Sequence, residues 1–274
     1  MNFIEYAKKN SKPNYNARIQ AFPAIALERQ FQRELVSLTN PFVKYLKKNI
    51  EIKTNDWIKT YSLNLDSDES DDKSDIENFF EKVITALEIY LPYKVLKEFF
   101  SKYSNKIYGF SKNKLTEQVE KIFKIKPHLD KDNYQKQLNL WVEKNIFSFK
   151  EALYKYVNNN KMAIYNILEK ISDKDSIESE IKINDQKLRN SIAFIARDQV
   201  SGLEGSVTKS LQTEVGFDEF VWITCRDERV RAAHRELDGK LCSWNKLPII
   251  NGNYIFPGSE INCRCVARPI ITNK

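Results

Sequence analysis

Four cysteines, Cys225, Cys242, Cys263 and Cys265, fall within the last fifty residues of this 274-residue chain, beside His234, one of only two histidines. Thiols and an imidazole are the ligand types that zinc takes, and they are also the parts of a cysteine nucleophile with its base. His234, Cys263 and Cys265 make three such ligands, and Cys225, Cys242 or Asp227 could supply a fourth. No cofactor is required by these residues, and a structural zinc is the one that they could hold. The competing assignment is plain packing, with His234 a hydrogen-bonded core histidine and the thiols small buried apolar groups.

Two enzyme readings are weaker on spacing. His234-Arg235-Glu236 matches the His-x-Glu of zinc deaminases, but that chemistry also needs Pro-Cys-x-x-Cys, and here Asn262-Cys263-Arg264-Cys265 has one intervening residue. A pairing of His234 with Cys225, Cys263 or Cys265 would make a Cys/His hydrolase-like site, yet a reactive thiol is normally partly exposed and no protease signature surrounds these.

The elements that must hold these residues differ from the rest of the chain. Six of the seven glycines lie from Gly202 onward. The run Phe217 to Thr224 reads as a buried strand. Thr224 and Asp227 stand at capping-box spacing, which predicts a helix from Thr224 with Val230, His234 and Leu237 on its inner face and Asp227 and Arg231 at the edge. Gly239 ends that helix, Leu241 to Trp244 returns as a strand, Asn251-Gly252 forms a hairpin, and Pro257-Gly258 turns again. Alternation in the closing strand puts Ile261, Cys263, Cys265 and Ala267 on one face, where neighbouring thiols are too parallel to bridge but can share an ion.

Upstream the pattern is helical. Asn40-Pro41 reads as a helix start, Asp66 to Asp75 as a solvated acidic loop that lacks the glycine and glutamate of a calcium site, and Ile76 to Tyr90 as a helix ended by Pro92. A further helix spans about Leu138 to Leu168, and His128 sits in the loop before it. Leu188, Ile192, Ile195, Ala196, Val200, Leu203, Val207 and Leu211 mark a long helix capped by Gly216, within which Gly202 and Gly205 predict close approach of another backbone.

The expected fold class is mainly α with a small C-terminal α+β domain: a helical region over residues 1–180, then residues 181–274 with one long helix, a short helix and a few antiparallel strands. No apolar run approaches a membrane span and the first residues lack a signal-peptide pattern, so a cytosolic origin is expected. The net charge of +7 is modest, and the last 74 residues carry 10 Lys+Arg against 9 Asp+Glu, so the surplus lies upstream without forming a basic stripe. Tyr90, Tyr93, Lys94, Lys97, Phe99 and Phe100 come nearest to a stripe and are better read as an amphipathic helix.

From about Arg189 to Ile270 the chain resembles the bacteriophage Mu F-like minor head protein (phage head morphogenesis) family. The resemblance is carried by Ile195-Ala196-Arg197-Asp198-Gln199, Val221-Trp222-Ile223-Thr224, Asp227-Glu228-Arg229-Val230-Arg231-Ala232-Ala233-His234, Leu237-Asp238-Gly239-Lys240 and Pro257-Gly258 through Cys265. It implies a minor capsid protein of the virion head, assembled in the host cytoplasm, whose partners are the portal and major capsid proteins; contact with packaged DNA belongs to the alternative of an ejection protein. No membrane partner, small-molecule substrate or enzymatic activity is expected. Relatives that carry Cys-x-x-Cys where this chain has Arg231-Ala232-Ala233-His234 would place a metal ligand at His234 and leave the position of Arg231 without one. Asp227, Arg229, Arg231 and His234 are the expected structural polar core. The alternatives are a DNA-contacting ejection protein and the Cys/His or zinc hydrolase-like enzyme; toxin delivery, known for related domains, is not expected.

Overall fold

A computed structural model describes residues 2–15, 17, 19–63, 70–168 and 174–270. The helices are α1 (Phe3–Asn10), α2 (Ile25–Leu63), α3 (Ser70–Tyr90), α4 (Tyr93–Phe123), α5 (Gln135–Leu168), α6 (Lys174–Val215) and α7 (Ala232–Leu237). The strands are β1 (Glu219–Ile223), β2 (Leu241–Ser243), β3 (Ile249–Ile250), β4 (Asn253–Tyr254) and β5 (Val266–Ile270). With 71% of residues helical and the strands confined to the C-terminal part, the fold is mainly α with a small α+β portion.

By compactness the chain divides into two units, each assembled from separated segments: Met1–Gln30, Ser101–Val142 and Ala196–Lys274 form one, Phe31–Phe100 and Glu143–Ile195 the other. This division differs from the compositional one near residue 180.

The second unit is a helical bundle. Phe31, Leu35, Phe42, Leu46 and Ile50 make the buried stripe of α2, and Phe80, Phe100 and Phe149 are buried from the other helices. Phe31 stacks on Phe99, and Phe100 meets Phe149 edge-on. Polar cross-links hold α3 and α6 to α5: Lys150 and Tyr154 donate to Glu88, and Tyr156 Oη donates to Asp185 at 2.6 Å. Leu96 and Phe100 are buried while Tyr93, Lys94 and Lys97 face outward, as an amphipathic helix requires.

Two local expectations fail here. Pro41 lies inside α2 and does not start it. Pro41 and Ser37, whose carbonyl loses its intrahelical donor, are both exposed, so water can serve that carbonyl while the apolar stripe runs on unbroken. The acidic stretch is also shorter as a loop than expected, because α3 begins at Ser70, so Ser70–Asp75 is helical. Acidic residue types are favoured at the N-terminal end of a helix by its dipole, so the acidic composition does not oppose a helical start there. Residues 66–69 of that stretch lie outside the described residues.

In the first unit, a capping box between Asn2 and Glu5 opens α1. The segment that follows is strapped down along α4: Asn14 N–H donates to Ile122 O, Gln118 donates to Gln20 O, and Lys114 Nζ reaches both Phe22 O and Glu204 Oε1. Glu204 also accepts from Ala24 N–H at 3.0 Å. His128 is an exposed loop residue before α5.

The C-terminal part of this unit is a three-stranded antiparallel sheet of order β2-β1-β5, with Phe220 opposite Cys242 and Trp222 opposite Ala267. β3 and β4 form a separate hairpin whose turn residues Asn251 and Gly252 both have positive φ, as expected. Gly216 and Gly239 take positive φ just past α6 and α7. All eight apolar positions of the long-helix pattern, Leu188 through Leu211, are buried in α6. The backbone approach predicted by its glycines is real at Gly205, where a Cβ would stand 2.3 Å from Pro257 O; at Gly202 the nearest atom is Gly258 O at 3.8 Å. The core beneath the sheet is Phe220, Trp222, Cys242, Trp244, Ile255, Cys263, Cys265 and Ala267.

Candidate metal centre

The loop from Thr224 to Arg231 is not the helix that the capping-box spacing predicts. Arg226 has φ of 56°, a left-handed conformation that no helix interior accommodates. Asp227 satisfies the backbone locally, accepting from Arg229 N–H at 3.1 Å, and Thr224 N–H goes to Asp238 Oδ1 at 2.8 Å. The helix therefore begins only at Ala232, with Arg231 as its N-cap. Asp227 and Val230 precede it, and of the expected inner face His234 and Leu237 remain on the helix.

The closing strand is corrected in the same way. Asn262 has φ of 57°, so the backbone turns between Ile261 and Cys263, and β5 begins only at Val266. Ile261 is 61% exposed, while Cys263 is 3% exposed and Cys265 5%, so Ile261 does not share their face. Asp198 Oδ1 on α6 pins the turn by accepting Asn262 N–H at 2.8 Å.

These two loops bring His234, Cys263 and Cys265 together. Their ligand atoms all lie within 4.8 Å of one another, and all three residues are buried. His234 Nδ1 is 3.7 Å from Cys263 Sγ and 3.6 Å from Cys265 Sγ, while Nε2 is 2.7 Å from Glu260 Oε2. Trp222 packs edge-on against the imidazole. Cys225 and Asp227 line a cavity beside this cluster without joining it, and Cys242 lies in the sheet core. All four cysteines are free thiols.

The electrostatics follow from the contacts. The hydrogen bond from Cys265, opposed by burial and reinforced by His234 and Gly258 N–H, lowers the Cys263 thiol to about 5. The same contact pushes the Cys265 thiol up, with burial adding to it. Cys263 first, against burial and with help from Glu260, raises the imidazole of His234. Burial raises Cys225.

Of the expected polar core, Arg229 pairs with Asp227 at 3.2 Å, and burial, which raises the Asp227 carboxyl, is outweighed by Arg229 and Cys225. Arg231 pairs with Glu260 at 3.3 Å and donates to Ile261 O at 2.8 Å. His234 joins Arg231 through their shared carboxylate, Glu260; Asp227 and Arg229 form a separate pair on the cavity wall. The cavity measures about 110 Å³ and is further lined by Arg197 and Arg264. Arg264 holds Glu28 with two hydrogen bonds, one of 2.9 Å from Nε, and Arg197 stands 4.0 Å from the same carboxylate.

Glu260 and Glu28 are absent from the sequence-based set. Glu260 had a signal, being the last carboxylate of the chain and three residues before Cys263. Glu28 had none, for it lies 236 residues from its partner Arg264.

Among known proteins, an uncharacterized protein of Haemophilus influenzae is 30% identical over 141 residues, covering 52% of this chain and 31% of that protein. The chain thus spans about a third of the length of that relative. No solved structure matches the chain. Among the described residues, no helix is long and apolar enough to cross a membrane. Residues 154–268, which contain the whole His234, Cys263 and Cys265 cluster, match the family described as Phage Mu protein F like protein, the phage head morphogenesis family that the sequence motifs resemble.

Proposed function

We propose that this protein is a minor head protein of a tailed bacteriophage that acts in head morphogenesis by binding the portal or the inner face of the capsid. The match of residues 154–268 to a phage-head family carries the reading. The polar centre supports a structural role over a catalytic one. Three of its four arginines are held by carboxylates, Arg229 by Asp227, Arg231 by Glu260 and Arg264 by Glu28, which suits a rigid module. The helical region upstream supplies the docking surface, and the protein becomes part of the virion head.

Co-expression with the portal protein of the same phage tests this directly. Tagged copies of either protein should retain the other, and failure to associate in both directions would sink the portal reading. DNA binding whose affinity falls steeply with salt would redirect the assignment to an ejection protein.

A further inference from the structure

Three features of the His234 cluster fit a bound ion better than they fit packing. First, the two N···S separations, 3.6 and 3.7 Å, match a tetrahedral zinc, whose N and S ligands at about 2.0 and 2.3 Å stand roughly 3.6 Å apart. Second, the far ring nitrogen of His234 faces a carboxylate, Glu260, at 2.7 Å, the outer contact that fixes a ligating histidine's tautomer. Third, a buried donor sits at one of the sulfurs: Gly258 N–H donates to Cys263 Sγ at 3.4 Å. Donors of this kind serve thiolates, the form in which cysteine binds metal.

The fourth position is the open question, and the cavity answers it. Cys225 lies on the cavity wall, outside the three-atom cluster. Arg197 and Arg264 share the single carboxylate of Glu28, which leaves positive charge in surplus at the cavity. A site with three protein ligands beside such a cavity has the form of an open zinc centre, unlike a closed four-ligand staple.

We propose that His234 Nδ1, Cys263 Sγ and Cys265 Sγ hold one zinc ion, whose fourth position faces the arginine-lined cavity and is taken by water or a small anion. The proposal is independent of portal binding.

Elemental analysis of the full chain, purified without chelator, should find one zinc per chain. Replacement by cobalt(II) should give the visible bands of a tetrahedral ion together with a thiolate charge-transfer band. Cys225→Ser and Cys242→Ser should leave that band unchanged, and Cys263→Ser, if it folds, should halve it. Added azide should shift the visible bands of the unsubstituted protein. Absence of stoichiometric zinc together with no tetrahedral cobalt spectrum overturns the metal site. Loss of about a third of the charge-transfer intensity in Cys225→Ser, for a third thiolate among the ligands, or visible bands indifferent to azide, overturns the open fourth position.

Discussion

Glu260 Oε2 stands 2.7 Å from His234 Nε2 and 3.3 Å from a guanidinium nitrogen of Arg231, so one carboxylate orients the imidazole and is itself neutralised. The histidine is 3% exposed, and its second nitrogen is left to the two sulfurs alone. Glu260 is therefore the group through which the cluster is most readily disturbed without touching a ligand.

Glu260→Gln keeps the size of the side chain and removes its charge. If the site binds zinc as proposed, its metal affinity should fall by about 10–100-fold, read by competition with a chromophoric chelator. Glu260→Ala leaves the buried ring nitrogen without its partner and should cost about 1–3 kcal/mol in urea unfolding. Unchanged affinity in Glu260→Gln would show that the carboxylate does not tune the site.

Gly205→Ala and Gly202→Ala should have opposite effects. At Gly205 a methyl group would stand 2.3 Å from the Pro257 carbonyl oxygen, and backbone must move, at about 1–3 kcal/mol. At Gly202 the nearest atom is 3.8 Å away, so the variant keeps its packing and gains up to about 1 kcal/mol of helix propensity. Chemical denaturation of the two variants gives the comparison, and equal stabilities would contradict the packing described.

Glu28 and Arg264 are 8% and 14% exposed in their side chains, so removing the arginine leaves a buried carboxylate with only Arg197, 4.0 Å away. Arg264→Ala should destabilise by about 3–5 kcal/mol, whereas a paired apolar replacement such as Glu28→Leu with Arg264→Met should recover most of it. A double-mutant cycle measures the difference, and additive losses would mean that the pair is uncoupled.

Asp238 provides a pH test away from the thiols. Thr224 N–H, then Arg226, outweigh burial and lower its carboxyl below the ordinary value. The folded state therefore binds this proton less readily than the unfolded state, and the stabilisation is complete above the unfolded value of about 4. It is lost as pH falls through the lowered folded value. Asp238→Asn should be less stable near neutrality by about 1 kcal/mol and should lose the corresponding part of the acid dependence. Parallel stability-pH curves for the two proteins would refute this.

Much of the fold is legible from local pattern. The stripe from Leu188 to Leu211, the Asn251-Gly252 hairpin and the tight approach at Gly205 follow from period and turn chemistry alone. The two failures at the site share one cause. Thr224 to Arg231 and Ile261 to Cys265 look like a helix start and a strand, yet Arg226 and Asn262 adopt positive φ that neither residue type demands. Tertiary partners impose it: Asp238 holds the first loop through Thr224 N–H and the Arg226 side chain, and Asp198 holds the second at Asn262 N–H. Residue type alone picks out His234, Cys263 and Cys265, which the structure brings together without Cys225, while Glu28 could not be found, since nothing local links a residue of α2 to Arg264.

That long-range pair bears on synthesis. The carboxylate leaves the ribosome 236 residues before its guanidinium, so this contact waits for nearly the whole chain. Contacts of such separation close late because loop entropy must be met first. The stretch from 154 to 268, which carries the family likeness, is thus energetically incomplete when cut out. It contains Arg264 without Glu28, and a fragment built on the homologous boundaries would expose that arginine and an unlatched flank of α6 to whatever acidic surface it next meets.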